Sequence, residues 1–229
     1  MLPVRNVLFV RGNPPETTRK EFLMTDITLP IDIDTVKGFL APEEAACLYK
    51  HASARAPFGP CLEIGSYCGK SATYLGTACK QAGGILFAVD HHRGSEENQP
   101  GSEYHDAELW DNEADAMDTL PFLRRTLRRA DLEETVIPVV GPSRIIAAHW
   151  QTPLSFLFID GGHTMEHALN DYRGWTPHLM PGGTLAIHDV FPDPADGGRP
   201  PFEIYQRALA SDLFEEVEAV SSLRILKKL

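Results

Sequence analysis

Two acidic residues, each beside the end of a short apolar run, are the groups in this sequence best placed for chemistry. Glu63 lies in the run Cys61–Ile64 and is followed by Gly65 and Gly69, and Asp90 ends the next such run. A strand that stops at a glycine turn and leads into a helix points the helix's first backbone amides at a ligand. The pattern therefore predicts a nucleoside-containing cofactor lying across the carboxyl ends of a parallel sheet.

The elements that must position these residues alternate between strand and helix. The run Leu154–Ile159 is nearly all apolar, as expected of a strand covered on both faces. Alternation predicts a parallel sheet with right-handed crossovers, and two closing strands with no helix between them predict an antiparallel edge. The predicted strands are Cys61–Ile64, Ile85–Val89, Val136–Val140, Leu154–Ile159, Gly183–His188, Phe214–Val220 and Ser222–Lys228, and the main predicted helices are Pro42–Arg55, Lys70–Gln81, Ser143–Trp150, His163–Trp175 and Pro201–Ala210.

The chain is predicted to consist of an irregular N-terminal arm, residues 1–38, and one α/β domain, residues 39–229. Residues 91–118 interrupt the alternation with nine acidic residues, one arginine and no steady period. A loop this long inside a compact domain is usually functional or disordered. Because this one begins where the second predicted strand ends, we interpret it as a lid over the predicted ligand crevice.

Composition excludes several classes of function. The net charge is −11, which argues against nucleic acid and anionic membranes as partners. No apolar run approaches the roughly 20 residues of a membrane span, and the N-terminus lacks the apolar core and cleavage site of a signal peptide. The four cysteines form no C-x-x-C pair or zinc-ribbon spacing. Their usage favours a reducing cytoplasm.

The motif Glu63-x-Gly65-x-x-x-Gly69 resembles the first motif of class I S-adenosylmethionine-dependent methyltransferases, and Tyr67 at its middle position is similar to the small-molecule O-methyltransferase branch. The resemblance extends from about Phe39 to Leu226. It implies a doubly wound, Rossmann-like, mostly parallel sheet of seven strands in the order 3-2-1-4-5-7-6, with strand seven antiparallel. It also implies transfer of a methyl group from S-adenosylmethionine to an oxygen of a small hydroxylated molecule, sugar-containing or phenolic.

The same resemblance assigns the cofactor contacts. Glu63 would bind the cofactor's ammonium, directly or through water, and Asp90 would accept hydrogen bonds from both ribose hydroxyls. Gly65 would let the backbone pass close to the methionine part. The resemblance would place Ser143 near the adenine ring, and ordinary helix capping explains this serine equally well. The implied cofactor-binding residues are Glu63, Gly65, Ser66, Tyr67, Gly69, Ser71, Asp90, His91, Ser143 and Asp160.

The ends of predicted strands four and five resemble those of relatives that hold a divalent cation. The resemblance places Asp160 and Asp189 at the metal, with His188 as a third ligand. Oxygen ligands suit magnesium, and an imidazole would favour manganese, iron or zinc. Many metal-dependent relatives carry two acids or an acid and an amide where this chain has His188-Asp189. Asp160 is also a candidate for cofactor contact or helix capping, so the metal site is a hypothesis.

His163 and Asp160 are the candidate catalytic residues. His163 follows a double glycine at the mouth of the crevice, where it could act as general base, although packing at a helix start explains it equally. One alternative is a methyltransferase-fold protein that binds the cofactor but performs other chemistry or none. Another is a zinc hydrolase, because His163, Glu166 and His167 match the pattern H-x-x-E-H. The expected partner is a small-molecule acceptor, and family habit implies a homo-oligomer, a dimer formed through the N-terminal arm.

Overall fold

A seven-stranded sheet organises the chain in a computed structural model that describes residues 27–102, 104–162 and 164–229. Its order is β5-β2-β1-β6-β7-β9-β8, which confirms the order predicted from the resemblance. Neighbours from β5 to β7 pair in parallel, and β9 is antiparallel to both β7 and β8. The strands are β1 Cys61–Ile64, β2 Leu86–Asp90, β3 Trp110–Asp111, β4 Ala116–Met117, β5 Val136–Val140, β6 Leu154–Ile159, β7 Leu179–Ile187, β8 Phe214–Val220 and β9 Leu223–Lys228.

Helices cover both faces of this sheet and give it two apolar cores. One core is built by the first three helices and the other by the last three. Strand β6 contributes to both, because Phe156 and Phe158 point to the first and Leu157 and Ile159 to the second. This explains why its sequence is nearly all apolar. The helices are α1 Pro42–Arg55, α2 Lys70–Ala82, α3 Leu120–Arg129, α4 Ser143–Ala148, α5 Met165–Trp175 and α6 Arg199–Ala210.

The predicted lid, residues 91–118, contains a small hairpin that the sequence did not reveal. Strands β3 and β4 pair antiparallel, and Leu109 and Met117 pack with Cys68 in a separate buried cluster. Lys37 forms ion pairs with Asp106 and Glu108, which join the segment before α1 to the lid. The lid is therefore anchored at its far end and leaves residues 94–99 over the sheet edge.

Several element boundaries differ from the predictions, most of them by one or two residues. Strand β7 begins at Leu179 instead of Gly183, because Leu179 already pairs with Leu154 before a register shift. Helix α5 begins at Met165, and its N-cap Thr164 accepts a hydrogen bond from the His167 amide at 3.2 Å. Among the helices of the described ranges, none combines the length and apolar character that crossing a bilayer requires.

Candidate functional site

A cavity of about 920 Å³ lies at the carboxyl ends of β1, β2, β6 and β7. This volume suits a nucleoside cofactor together with a small acceptor. The predicted residues Glu63 and Gly69 are not among the residues that line it. The predicted residues that line it are Gly65, Ser66, Tyr67, Ser71, Asp90, His91, Ser143, Asp160, His188 and Asp189.

The glycine turn after β1 brings two strand ends into contact. Gly65 has a φ of +91°, and a Cβ atom there would lie 2.0 Å from the carbonyl oxygen of Asp160. Gly69 has a φ of +96° and precedes α2, and a Cβ atom there would lie 2.9 Å from the Leu123 side chain of α3. The first glycine thus permits the loops after β1 and β6 to touch, and the second permits the turn into α2 beside α3.

We expect Gly65→Ala to destabilise the fold by about 3 kcal/mol or more, because the new Cβ would overlap a backbone oxygen at a strained φ. Urea unfolding would measure this change. Gly83→Ala is the matched control, since Gly83 also has a positive φ, +71°, but nothing lies within 4 Å of its added Cβ. That control should lose only about 1 kcal/mol. Equal losses in both variants would contradict the proposed close approach.

Glu63 is a buried acid with an unfilled hydrogen-bonding capacity. Its Oε2 accepts a hydrogen bond from the Ser71 hydroxyl at 2.9 Å, and its Oε1 has no partner among the described residues. Burial raises the pKa of Glu63 to about 8, and the charges of Asp160 and Asp90 add to the effect while Ser71 opposes it. The hydroxyl of Ser66, on the cavity wall, is likewise buried without a partner in this part of the chain. These orphaned acceptors fit a cationic, hydrogen-bonding ligand such as the cofactor's amino-acid end.

The raised pKa of Glu63 predicts a pH-dependent stability in the cofactor-free protein. The folded chain holds a proton that the unfolded chain releases near pH 4.5, so this contribution is complete below 4.5 and is lost as the pH rises through about 8. We expect Glu63→Gln, which cannot ionise, to flatten the profile of unfolding free energy over that range. Exposed Glu133→Gln should retain the wild-type profile. Parallel profiles for wild type and Glu63→Gln would refute this assignment.

Asp90 joins the turn after β1 to the loop after β2. One carboxylate oxygen accepts from the Tyr67 amide at 2.9 Å and the other from the His92 amide at 2.7 Å. Each oxygen keeps a further lone pair, and the residue lies on the cavity wall, so a pair of hydroxyl groups could bind there. His91 also lines the cavity, and its Nδ1 accepts from the Arg93 amide at 3.0 Å.

Ser143 belongs to a hydrogen-bond chain instead of capping α4, whose N-cap is Pro142. Its hydroxyl donates to Asp171 at 2.5 Å and accepts from the Trp175 indole at 2.8 Å. Asp171, on α5, is buried at the cavity wall, and burial raises its pKa to about 6 against the opposing Ser143 hydrogen bond. The sequence analysis did not identify Asp171. Its only signal is an acid on the apolar face of a helix.

His188 is surrounded by three carboxylates at the end of β7. Its Nδ1 lies 3.0 Å from Asp160 Oδ1 and 3.5 Å from Asp189 Oδ2, and its Nε2 lies 2.9 Å from Glu44 Oε2. Burial disfavours the charged imidazole, but the charge and hydrogen bond of Asp160 and the hydrogen bonds to Asp189 and Glu44 outweigh it and raise the pKa of His188. The surrounding carboxylates therefore favour the charged imidazolium form of His188.

Glu44 of α1 also contacts this cluster, through His188, and was not among the predicted site residues. Its Oε1 accepts from the Ser222 amide at 2.9 Å and from the Ser222 hydroxyl at 2.8 Å. Burial would raise the pKa of Glu44, but the hydrogen bond and charge of His188, together with Ser222, keep it below its usual value. Glu44 thus fixes the orientation of the His188 ring.

The cluster fits a divalent cation. Ligand atoms of Asp160, His188 and Asp189 all lie within 4.8 Å of one another. Two ligands about 2.1 Å from one ion at a right angle are about 3 Å apart, comparable to the 3.0 Å between His188 Nδ1 and Asp160 Oδ1. A ligating histidine usually donates its other ring N–H to a carboxylate, the position that Glu44 occupies here.

The residues of the H-x-x-E-H alternative do not form such a cluster where they are described. His163 lies outside the described residues. Glu166 and His167 line the cavity from α5, and His167 Nδ1 is 3.8 Å from Glu96 Oε1. Neither belongs to the groups of metal-ligating side chains found in the described ranges.

Comparison with known proteins identifies the family. A family model described as a methyltransferase domain matches residues 62–190, more than half of the chain. The fold is similar to the O-methyltransferase NovP, with a TM-score of 0.62 at 15% identity over 82% of this chain and 80% of that chain. It is also similar to SAH-bound Podospora anserina methyltransferase PaMTH1, with a TM-score of 0.59 at 11% identity over 83% and 80%.

A third similar structure is the O-methyltransferase from Bacillus cereus in complex with SAH, with a TM-score of 0.57 at 15% identity over 83% of both chains. Sequence identities at this level show only that the folds are similar. The assignment to a family rests on the match to the family model. The chain belongs to the methyltransferase-domain family and is a class I S-adenosylmethionine-dependent methyltransferase.

Proposed function

We propose that this enzyme transfers a methyl group to an oxygen of a small hydroxylated molecule, phenolic or sugar-containing. The observation that carries the proposal is the shared cavity, in which Asp90 lies at one strand end and the Asp160–His188–Asp189 cluster at another. Such a cavity can hold cofactor and acceptor side by side. The O-methyltransferases of similar fold support oxygen as the methyl acceptor.

The cofactor-binding residues act by fixing one orientation of the ligand. When bound, S-adenosylmethionine supplies a methyl group on a positively charged sulfur. Asp90 would hold the ribose, and Glu63 and Ser66 would receive the hydrogen bonds of the amino-acid end, because their acceptor atoms are buried without protein partners among the described residues. Holding two reactants in line is the main contribution that a protein makes to such a displacement.

The Asp160–His188–Asp189 cluster would bind the acceptor. Asp160, Asp189 and His188 are the residues that would hold a divalent cation, which when bound would coordinate acceptor oxygens and lower their pKa. Asp160 lies on the cavity wall, where its carboxylate could accept the hydroxyl proton as the methyl group arrives. His163 stays a predicted general base on sequence grounds.

The test of this function uses methyl-labelled S-adenosylmethionine. The protein is incubated with small-molecule extracts and with panels of catechols and glycosides, with and without a chelator. We expect label in a small-molecule product, loss of labelling in Asp189→Ala, and loss on chelation that is reversed by Mg²⁺ or Mn²⁺. Surface variant Asp212→Ala would be the matched control for removal of an aspartate.

Label that stays on the cofactor with every acceptor, in a protein that binds the cofactor, would contradict methyl transfer and favour a binding role. Labelling that is unaffected by chelation would refute the metal but leave oxygen transfer standing. Product analysis by mass spectrometry and nuclear magnetic resonance would then identify the methylated atom. A methyl group on nitrogen or carbon would contradict the oxygen assignment.

Location and assembly are part of the same proposal. Cys47, Cys61, Cys68 and Cys79 are all buried and free, which supports a reducing cytoplasm. We infer a dimer from family habit and a small-molecule partner from the cavity. Light scattering at several protein concentrations would test the dimer, and a monomer at all of them would contradict it.

A further inference from the structure

A second cluster of metal-ligating side chains lies between α1 and the edge strand β8. Ligand atoms of Cys47, His51 and Glu218 all lie within 4.8 Å of one another. Cys47 and His51 are four residues apart on α1, the spacing that places two side chains on one helix face. None of the three residues belongs to the proposed catalytic site.

Glu218 is directed toward this helix face by an irregularity in its strand. The pairing of β8 with β9 shifts register between Glu216 and Glu218. Such bulges re-aim side chains, frequently next to functional sites. The Glu218 carboxylate meets His51 Nε2 at 2.8 Å and also forms an ion pair with Lys50.

We propose that Cys47, His51 and Glu218 form a binding site for a late first-row transition metal, Zn²⁺ in particular. Thiolate, imidazole and carboxylate are the three ligand types that zinc uses in proteins, and three protein ligands leave a fourth position for water. His51 and Glu218 are partly exposed, whereas Cys47 is buried, so an ion could enter from the solvent side.

Metal binding at this cluster requires two changes. The Cys47 thiol gives its proton to solvent as the metal–sulfur bond forms, and the Lys50 ammonium leaves the Glu218 carboxylate. Burial, with the charge of Glu218, raises the pKa of Cys47 to about 12, so the metal-free thiol is protonated. Burial also lowers the pKa of His51, which keeps the imidazole neutral and able to ligate.

Cobalt(II) is the probe that tests the site, because a cobalt–thiolate bond gives a near-ultraviolet charge-transfer band that carboxylate and imidazole ligands do not. Titration of chelator-treated full-length protein with cobalt(II) should produce this band, which at saturation reports one thiolate-bound cobalt ion per chain. Adding Zn²⁺ should then remove the band. The band should vanish in Cys47→Ser and weaken in His51→Gln. We also expect Lys50→Gln to tighten cobalt binding by about fivefold, since it removes a competing cation.

Two controls separate this site from the rest of the molecule. Cys79→Ser changes an equally buried thiol that has Gly83, not histidine, four residues later, and Asp189→Ala disables the other cluster. Both should keep the band. Absence of the band in the wild type, or its survival in Cys47→Ser, would overturn the proposal. If Cys47→Ser fails to fold, Glu218→Gln, at a partly exposed position, decides instead, and unchanged cobalt affinity there would contradict the proposal.

Discussion

Asp90→Asn is expected to weaken cofactor binding by about 100-fold, equivalent to about 2.7 kcal/mol. The carboxylate accepts hydrogen bonds from the Tyr67 and His92 amides, and Asp90 lines the cavity. An amide nitrogen cannot accept, so the variant loses one ribose contact and its charge assistance, and one backbone amide loses its acceptor. Isothermal titration with S-adenosylhomocysteine (SAH) measures the change.

Asp131→Asn is the matched control for Asp90→Asn. Asp131 is an exposed residue whose carboxylate pairs with Lys80 and does not line the cavity. Its replacement should leave the SAH dissociation constant unchanged. If Asp90→Asn also binds SAH with wild-type affinity, Asp90 does not hold the ribose.

Glu44→Ala is expected to destabilise the protein by about 4 kcal/mol, the range found when one partner of a buried charge pair is removed. The truncation would leave His188 Nε2 and both donors of Ser222 without their acceptor. It would also release the His188 ring beside Asp160. Urea unfolding at pH 7 measures the stability. The rate of methyl transfer per folded molecule should also be lower in Glu44→Ala than in the wild type.

Glu43 provides the comparison for Glu44, because it is the neighbouring glutamate on α1 but is exposed. Glu43→Ala should change stability by less than about 0.5 kcal/mol. The lowered pKa of Glu44 adds a pH signature: its stabilising contribution is present above the unfolded value of 4.5 and is lost as the pH falls through the lower folded value. Glu44→Ala should therefore lose less stability on acidification than the wild type does. Similar losses at pH 7 for the two glutamate variants would contradict a structural role for Glu44.

The features that could be predicted from the sequence are those that depend on a few neighbouring residues. The apolar run of β6, the proline and acids at the start of α1 and the glycine turn after β1 each express their structure within a few residues. The strand order came from the resemblance that these residues carry, and the sheet confirms it. The same resemblance placed Asp160, His188 and Asp189 together, and their ligand atoms lie within 4.8 Å of one another in the structure.

The features that the sequence did not predict depend on distant partners. Glu44 is 144 residues from His188 and 178 from Ser222, so its burial has no local signal. Strands β3 and β4 have two residues each, too few for a period to be detected. The early start of β7 is hidden because Pro181, Gly182 and Gly183 favour a turn, whereas pairing with β6 extends the strand through them.

A crystal structure of the protein with SAH would show whether the nucleoside cofactor binds at this sheet edge. Binding at this edge predicts that both ribose hydroxyls donate to Asp90 and that the sulfur lies on the side of the cavity bounded by Asp160. Electron density for SAH elsewhere, with the Asp90 carboxylate contacting only water and the Tyr67 and His92 amides, would contradict it.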